Sequence, residues 1–268
     1  MTATPVVLKF GGAALATPAR IRRAALRIAR WHATGRPVVA VASACGRSTE
    51  SILRRVEAVE GSWERAGREL DRALATGELL ASSLLSAALL SRGVPAHGLT
   101  GGEAGILAVG EHGRGIVVGV VTRRLGSLLE RGVVPVVAGF QAARPDGETV
   151  TLGRGTSDLT AAHLAVALGA SSCHLVKDVP GIHDRDPRRD PTARLLPRLG
   201  YDELERIVHD GAGVVHPAAV RLARRHRLPL RIYHYRSPVS GDHGTTIEPA
   251  RARAGWIGNG GEGCLSTA

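Results

Sequence analysis

Val6-Val7-Leu8-Lys9-Phe10-Gly11-Gly12 decides how the rest of the chain is read. Its first five residues are apolar except for Lys9 and lack the alternation of a half-exposed strand, so they predict a strand buried on both faces. Gly11-Gly12 breaks it, and Pro18 then opens a helix to about Trp31, with Ile21, Ala24, Ala25 and Ile28 along one side. The same succession recurs outward along the chain. Residues 38–43, 133–138, 173–176 and 230–233 read as further buried strands, and 63–90, 125–131, 157–168, 201–208 and 217–227 as helices. Residues 99–115 read as a glycine-rich loop with short strands, and Asp146-Gly147 as the turn of a hairpin. Buried strands spaced by helices predict an α/β fold whose largely parallel sheet is covered on both faces. Ligands on such a sheet sit beyond the carboxyl ends of its strands.

With 268 residues, 44% of them apolar, the chain can bury one large core or two small lobes sharing a cleft. No uninterrupted apolar run approaches the ~20 residues of a membrane span. Residues 1–10 carry no basic lead and no apolar h-region, so no export signal is predicted. Cys45, Cys173 and Cys264 are too few and too scattered for a disulfide framework or a zinc site, which predicts a reducing, cytoplasmic setting.

The formal charge of +11 raises the question of a polyanionic partner. The arginines are spread over most segments and only 3% of residues are aromatic, which argues against nucleic acid. The densest basic run, 221–231, reads as the exposed side of one helix. One detail says more than the total: of the 35 lysines and arginines, only Lys9 and Lys177 are lysines. A lysine kept against that bias marks a place needing a compact ammonium on a flexible stem.

Three motifs carry chemistry. Lys9-Phe10-Gly11-Gly12 follows a strand and precedes a helix, so backbone N–H groups can face an anion unobstructed and Lys9 can reach the same phosphates. No Gly-Lys-Ser/Thr follows, so this is not a Walker loop, and a plain Gly-Gly turn also fits the segment. Gly153-Arg154-Gly155-Thr156-Ser157-Asp158 enters a helix. Arg154 offers a planar fork for a carboxylate and Asp158 an anion for an ammonium, together a receptor for the zwitterionic end of an amino acid. Thr156 or Ser157 equally fits a helix N-cap. Lys177-Asp178-Val179-Pro180-Gly181-Ile182, with Asp186-Pro187-Arg188 beyond it, follows a strand. Lys177 and Arg188 can flank a nucleotide's phosphates, or the segment is a surface turn with a loop ion pair.

The motifs fall in a fixed order. Lys9 to Gly12 is followed by Ser43-Ala44-Cys45-Gly46-Arg47-Ser48-Thr49, Thr76-Gly77-Glu78, Leu99-Thr100-Gly101 and Pro135-Val136-Val137-Ala138-Gly139-Phe140-Gln141. Thr151-Leu152 leads into Gly153 to Asp158; Asp178 to Ile182, Asp186 to Arg188, Gly211-Ala212, His216-Pro217 and Gly244-Thr245 complete the series. Over about residues 5–247 this series resembles the aspartate kinase catalytic domain of the amino acid kinase family. The resemblance implies a three-layer αβα sandwich with a largely parallel central sheet. It implies a catalytic domain over 1–250, with an N-terminal substrate lobe and a C-terminal nucleotide lobe from about residue 170; the Gly and small residues that follow read as a flexible tail over 251–268. It further implies ATP with Mg²⁺, phosphorylation of the side-chain carboxylate of L-aspartate to 4-phospho-L-aspartate in amino-acid biosynthesis, and a cytoplasmic homodimer with no nucleic-acid or membrane partner.

Carried over by position, the resemblance gives Lys9 the charge on the transferring phosphoryl group and Gly11 and Gly12 the N–H donors. Thr49, Glu78, Arg154 and Ser157 would surround the amino acid, with Arg154 on its α-carboxylate. Asp158 would organise the site around Lys9 and the substrate amine, and Lys177, Asp178, His183 and Arg188 would line the nucleotide side. Such transfer needs no general base, because a carboxylate is already ionised at neutral pH; catalysis becomes positioning plus neutralisation of charge.

The sequence also departs from the family. Ala13 and Ala14 stand where Thr-Ser is usual, Gly213 stands where a nucleotide-side lysine is usual, and Lys177 stands where many relatives have Thr. Lys177 is therefore expected to replace the missing charge from the adjacent strand. The sequence stops where aspartate kinases continue into regulatory ACT domains, so the catalytic part alone is expected, without feedback through such domains. Two alternatives stay open: a kinase of a related amino-acid carboxylate in a specialised pathway, or a catalytically weak ligand-binding or regulatory subunit.

Overall fold

The computed structural model describes residues 3–61, 67–209, 214–239 and 243–249. In chain order its strands are β1 (Val6–Phe10), β2 (Val38–Ala42), β3 (Ala96–Leu99), β4 (Ile106–Val109), β5 (Ile116–Val120), β6 (Val134–Ala138), β7 (Gln141–Ala143), β8 (Thr149–Thr151), β9 (Ser172–Lys177), β10 (Arg198–Leu199), β11 (Leu230–His234) and β12 (Thr245–Ile247). The helices are α1 (Pro18–His32), α2 (Ser48–Glu60), α3 (Gly67–Leu90), α4 (Arg123–Glu130), α5 (Ser157–Ala167), α6 (Tyr201–His209) and α7 (Pro217–Arg225).

Eight strands form one sheet in the order β10-β12-β11-β9-β1-β2-β6-β3. Its centre is parallel, and β12 runs antiparallel to β11. β1 lies in the middle because its side chains are apolar toward both faces. Val6, Leu8 and Phe10 join Ile21, Ala25 and Ile28 of α1 and Leu85 and Leu89 of α3 in one core. Val7 joins the opposite core, with Leu125 of α4, Ala161 and Leu164 of α5, Leu204 of α6 and Val220 of α7. Helices on both faces make the three-layer αβα arrangement that the sequence predicts. The strand's period of two gives Lys9 the same face as Val7, toward α5. That parity brings a charged side chain to the site.

The helix starts follow local chemistry. Thr17 accepts from the Arg20 N–H and Pro18 fills the first turn of α1, and His216 caps α7 ahead of Pro217 in the same way. A smaller sheet, β5-β4-β7-β8, packs beside the first. The hairpin expected at Asp146-Gly147 joins β7 to β8, with Gly147 at φ +85°.

Several expectations change. The predicted helix from residue 63 is described only from Gly67, and the predicted tail 251–268 lies outside the described residues. Among the described residues α3 is long and apolar enough, by composition, to cross a membrane. Asp71 and Glu78 break its apolar run in the sequence, while Ala81, Leu85 and Leu89 are fully buried against the sheet. β5 carried no sequence expectation, because the surrounding glycines mask its alternation. The basic run 221–231 is not one helix face: α7 ends at Arg225, Arg227 turns the chain at φ +52°, and Arg231 belongs to β11.

Candidate active site

The carboxyl ends of β1 and β9 face the N-terminus of α5. The pairing of Phe10 with Val176 puts Lys177 one residue beyond the end of β1. Asp158, in the first turn of α5, receives both lysines of the chain. Lys9 Nζ lies 2.8 Å from its Oδ1 and Lys177 Nζ 2.5 Å from its Oδ2. All three are buried or nearly so, with Asp158 2% and Lys9 5% exposed. Lys9 is the one partner of Oδ1 among the described residues.

Burial pushes the Asp158 carboxyl up, but the two ammonium groups overrule it and hold the pKa at about 2. Burial, and next the charge of Lys9, lower the pKa of Lys177 against the pull of Asp158. Two cations on one carboxylate leave a net positive centre in a desolvated place. Such a centre is stabilised by an arriving anion.

Two cavities meet at Lys177. The smaller, of about 290 Å³, is lined by Lys9, Thr49, Glu78, Arg154, Ser157 and Lys177 together with Gly12, Ala44, Leu53 and Phe140. Thr49 stands in the first turn of α2. Arg154 is exposed at the cavity, while Ser157 and Glu78 are buried. Oε1 of Glu78 accepts the Ala44 N–H at 3.1 Å and Oε2 is buried without a partner among the described residues. Desolvation raises this carboxyl to about 7, against the pull of the Ala44 N–H and the Lys9 charge. Phe140 holds φ +69°, and its ring packs with Leu70 and Leu74 of α3 as one wall.

The larger cavity, of about 610 Å³, is lined by Lys177, Asp178, Gly181, Ile182, His183 and Arg188 among others. Its size suits a small-molecule ligand. Arg188 presents its fork to Asp186, with Nε and one terminal nitrogen each 3.0 Å from a carboxylate oxygen.

All the residues singled out in the sequence therefore border one of two adjoining cavities except Gly11 and Asp158, and Asp158 holds the two lysines. Gly11 is a correction. Its N–H donates to the Val176 carbonyl at 3.0 Å, continuing the β1–β9 ladder, and is not available to a phosphate. Gly12 keeps its N–H unpaired among the described residues, and a side chain there would bring Cβ to 2.7 Å from the Ala44 carbonyl oxygen. The expectation that Asp158 meets a substrate amine also changes, because both its oxygens face lysines.

Ala14 is buried in the α1-side core and Ala13 offers its carbonyl to Arg20; Gly213 lies outside the described residues. Phe140 and the His216 N–H, 3.4 Å from Asp158 Oδ2, were missed as site groups. The Gly139-Phe140 and His216-Pro217 pairs were their only local signals.

A model of the amino acid kinase family matches residues 4–234. Aspartokinase 2 of Bacillus subtilis (strain 168) is 41% identical over 243 residues, covering 91% of this chain and 58% of that protein. A crystal structure of aspartate kinase from Synechocystis superposes with a TM-score of 0.79 at 37% identity, covering 92% of this chain and 40% of that one. E. coli aspartokinase III in complex with aspartate and ADP superposes with a TM-score of 0.79 at 24% identity, covering 92% and 65%, and bears on the fold alone. The chain thus spans a little over half the length of the curated relatives it matches.

Proposed function

The chain belongs to the amino acid kinase family, and from that premise we propose that it transfers the γ-phosphoryl group of ATP to the side-chain carboxylate of L-aspartate, giving 4-phospho-L-aspartate. The observation that carries this reading is the pair of lysines held on Asp158 where the two cavities join. The larger cavity takes the nucleotide, with Asp178, His183 and Arg188 along its wall. The smaller takes the amino acid. Arg154 meets the α-carboxylate as a planar fork, Thr49 and Ser157 border the rest of the molecule, and the unpartnered Oε2 of Glu78 accepts from the α-ammonium. An ammonium at that point removes the cost of ionising Glu78 in a buried site.

Attack needs no base, since the acceptor carboxylate is ionised. Asp158, held near a pKa of 2, is no proton acceptor at neutral pH; it fixes the two ammonium groups. Lys9 neutralises charge on the phosphoryl oxygens as two anions approach in line, the Gly12 N–H donates to the same group, and Lys177 spans the nucleotide side and the point of transfer. Mg²⁺ supplies charge neutralisation on the nucleotide's phosphates. Asp178 and Asp186 are the carboxylates lining that cavity and would hold the ion together with those phosphates.

The halves of the large sheet on either side of the β1–β9 pair serve as substrate lobe and nucleotide lobe, divided near residue 170. A homodimer in the cytoplasm is part of the same proposal; Cys45 and Cys173, both free thiols, suit a reducing compartment.

The test is a coupled assay with ATP, aspartate and hydroxylamine, comparing wild type with Lys9→Ala and Arg154→Ala. Hydroxamate that forms with wild type and falls at least about 10²-fold with Lys9→Ala supports the reading. Turnover with another acid and none with aspartate overturns it.

A further inference from the structure

Asp71 lines neither cavity, yet it is 1% exposed and its carboxylate gathers four donors. Oδ1 accepts the Thr151 hydroxyl at 2.5 Å and the Gly113 N–H at 3.1 Å. Oδ2 accepts the Thr151 N–H at 3.0 Å and lies 2.9 Å from His112 Nδ1. No lysine or arginine pairs with it among the described residues; His112 is its one titratable neighbour, and Glu148 sits 3.7 Å from the far nitrogen of that ring. Burying a carboxylate without a full cation is costly unless its hydrogen bonds are complete. Here they are complete, and every donor comes from outside α3.

What those bonds join is informative. Asp71, Ala75 and Glu78 follow at i, i+4 and i+7 on α3 and share one face. Each is tied to a different part of the smaller cavity's frame. Asp71 holds the end of β8, the Ala75 carbonyl accepts from Gln141 Nε2 of β7 at 3.1 Å, and Glu78 accepts from Ala44 beyond β2. Thr151 is the last residue of β8, and Leu152 and Gly153 lead from it to Arg154.

We propose that Asp71 is a positioning residue for acceptor recognition: by fixing α3 against the end of β8 it sets the span between the Glu78 carboxylate and the Arg154 guanidinium. The proposal rests on the reading of those two groups as holders of the acceptor's ammonium and α-carboxylate. Because Asp71 touches neither lysine nor the nucleotide cavity, its loss acts on the acceptor and spares ATP.

Steady-state kinetics in both substrates, on wild type, Asp71→Asn and Thr151→Val, test this. Asp71→Asn keeps the shape but sets an amide N–H₂ against the donors of Gly113 or Thr151. KM for aspartate is expected to rise about 10- to 100-fold, the scale of an ångström of misplacement, with KM for ATP within about twofold. The preference for aspartate over succinate, which lacks the α-ammonium, should shrink in parallel. A folded Asp71→Asn protein with unchanged KM for aspartate, or with both KM values raised alike, overturns the proposal.

If circular dichroism and melting show that Asp71→Asn does not fold, Thr151→Val decides. It deletes one hydroxyl bond and keeps the backbone donor, so a rise of about three- to tenfold confined to aspartate supports the role and no rise refutes it. Wild type that phosphorylates no aspartate strikes the proposed function instead, and the same variants are then read through KM for whichever acid it does phosphorylate.

Discussion

Glu78 gives the sharpest test of how the acceptor cavity is built. Its carboxyl is 4% exposed and is raised from 4.5 to about 7 by desolvation. The folded protein therefore binds this proton more tightly than the unfolded chain does. The ionised group costs nothing extra below pH 4.5, and its penalty grows as pH rises through 7. A carboxyl raised this far corresponds to about 1 kcal/mol at pH 5 and about 3 kcal/mol at pH 8. Glu78→Gln keeps the shape and the acceptor for the Ala44 N–H while removing the charge. Urea unfolding without ligands should find the variant more stable than wild type, with its advantage widening by about 2 kcal/mol from pH 5 to pH 8. Calorimetry should show aspartate binding lost by the same change. For wild type, aspartate binding near pH 6.5 should release protons, visible as heats that differ between two buffers. An advantage that does not vary with pH, or a variant less stable at pH 8, refutes a Glu78 held uncharged by burial.

Other outcomes follow from the paired lysines and their neighbours. Lys177→Met should lower kcat about 10²–10³-fold, as removal of a transition-state donor does, in single-turnover assays at saturating ATP; a rise in KM for ATP alone would reduce Lys177 to a nucleotide anchor. Asp158→Asn leaves two ammonium groups without their shared anion and should cost about 3–5 kcal/mol by denaturant unfolding at pH 7. Because the Asp158 pKa is depressed from 3.8 to about 2, about 2.5 kcal/mol of that stabilisation is present above 3.8 and is lost as pH falls through 2, so the gap between the two proteins should narrow in acid. Gly12→Ala drives Cβ toward the Ala44 carbonyl and should raise KM for ATP in the coupled assay; an unchanged KM would remove Gly12 from the phosphate site.

Much of the architecture was legible because periodicity is a local property. The unbroken apolar run of β1, Pro18 at the start of α1 and the Asp146-Gly147 turn each announce themselves within a few residues. The same locality explains the misses. Around β5 the glycines blur a period of two, and the basic run 221–231 is continuous in sequence while the backbone turns at Arg227. Asp71 looked like any acid on an amphipathic helix, since its four donors lie far along the chain. Gly11 and Gly12 read alike, and only the position of the Val176 carbonyl tells them apart.

By itself the sequence determined the alternation of strand and helix, the parity that gives Lys9 one face of β1, and the scarcity that singled out two lysines among many arginines. It left open where those ammonium groups point. The parallel register of β1 with β9, and the entry of α5 beneath their ends, brought both onto Asp158 and opened a cavity on each side of Lys177. The reason is physical: side-chain direction follows from local backbone geometry, whereas the meeting of charges depends on which distant strands pair and in what register.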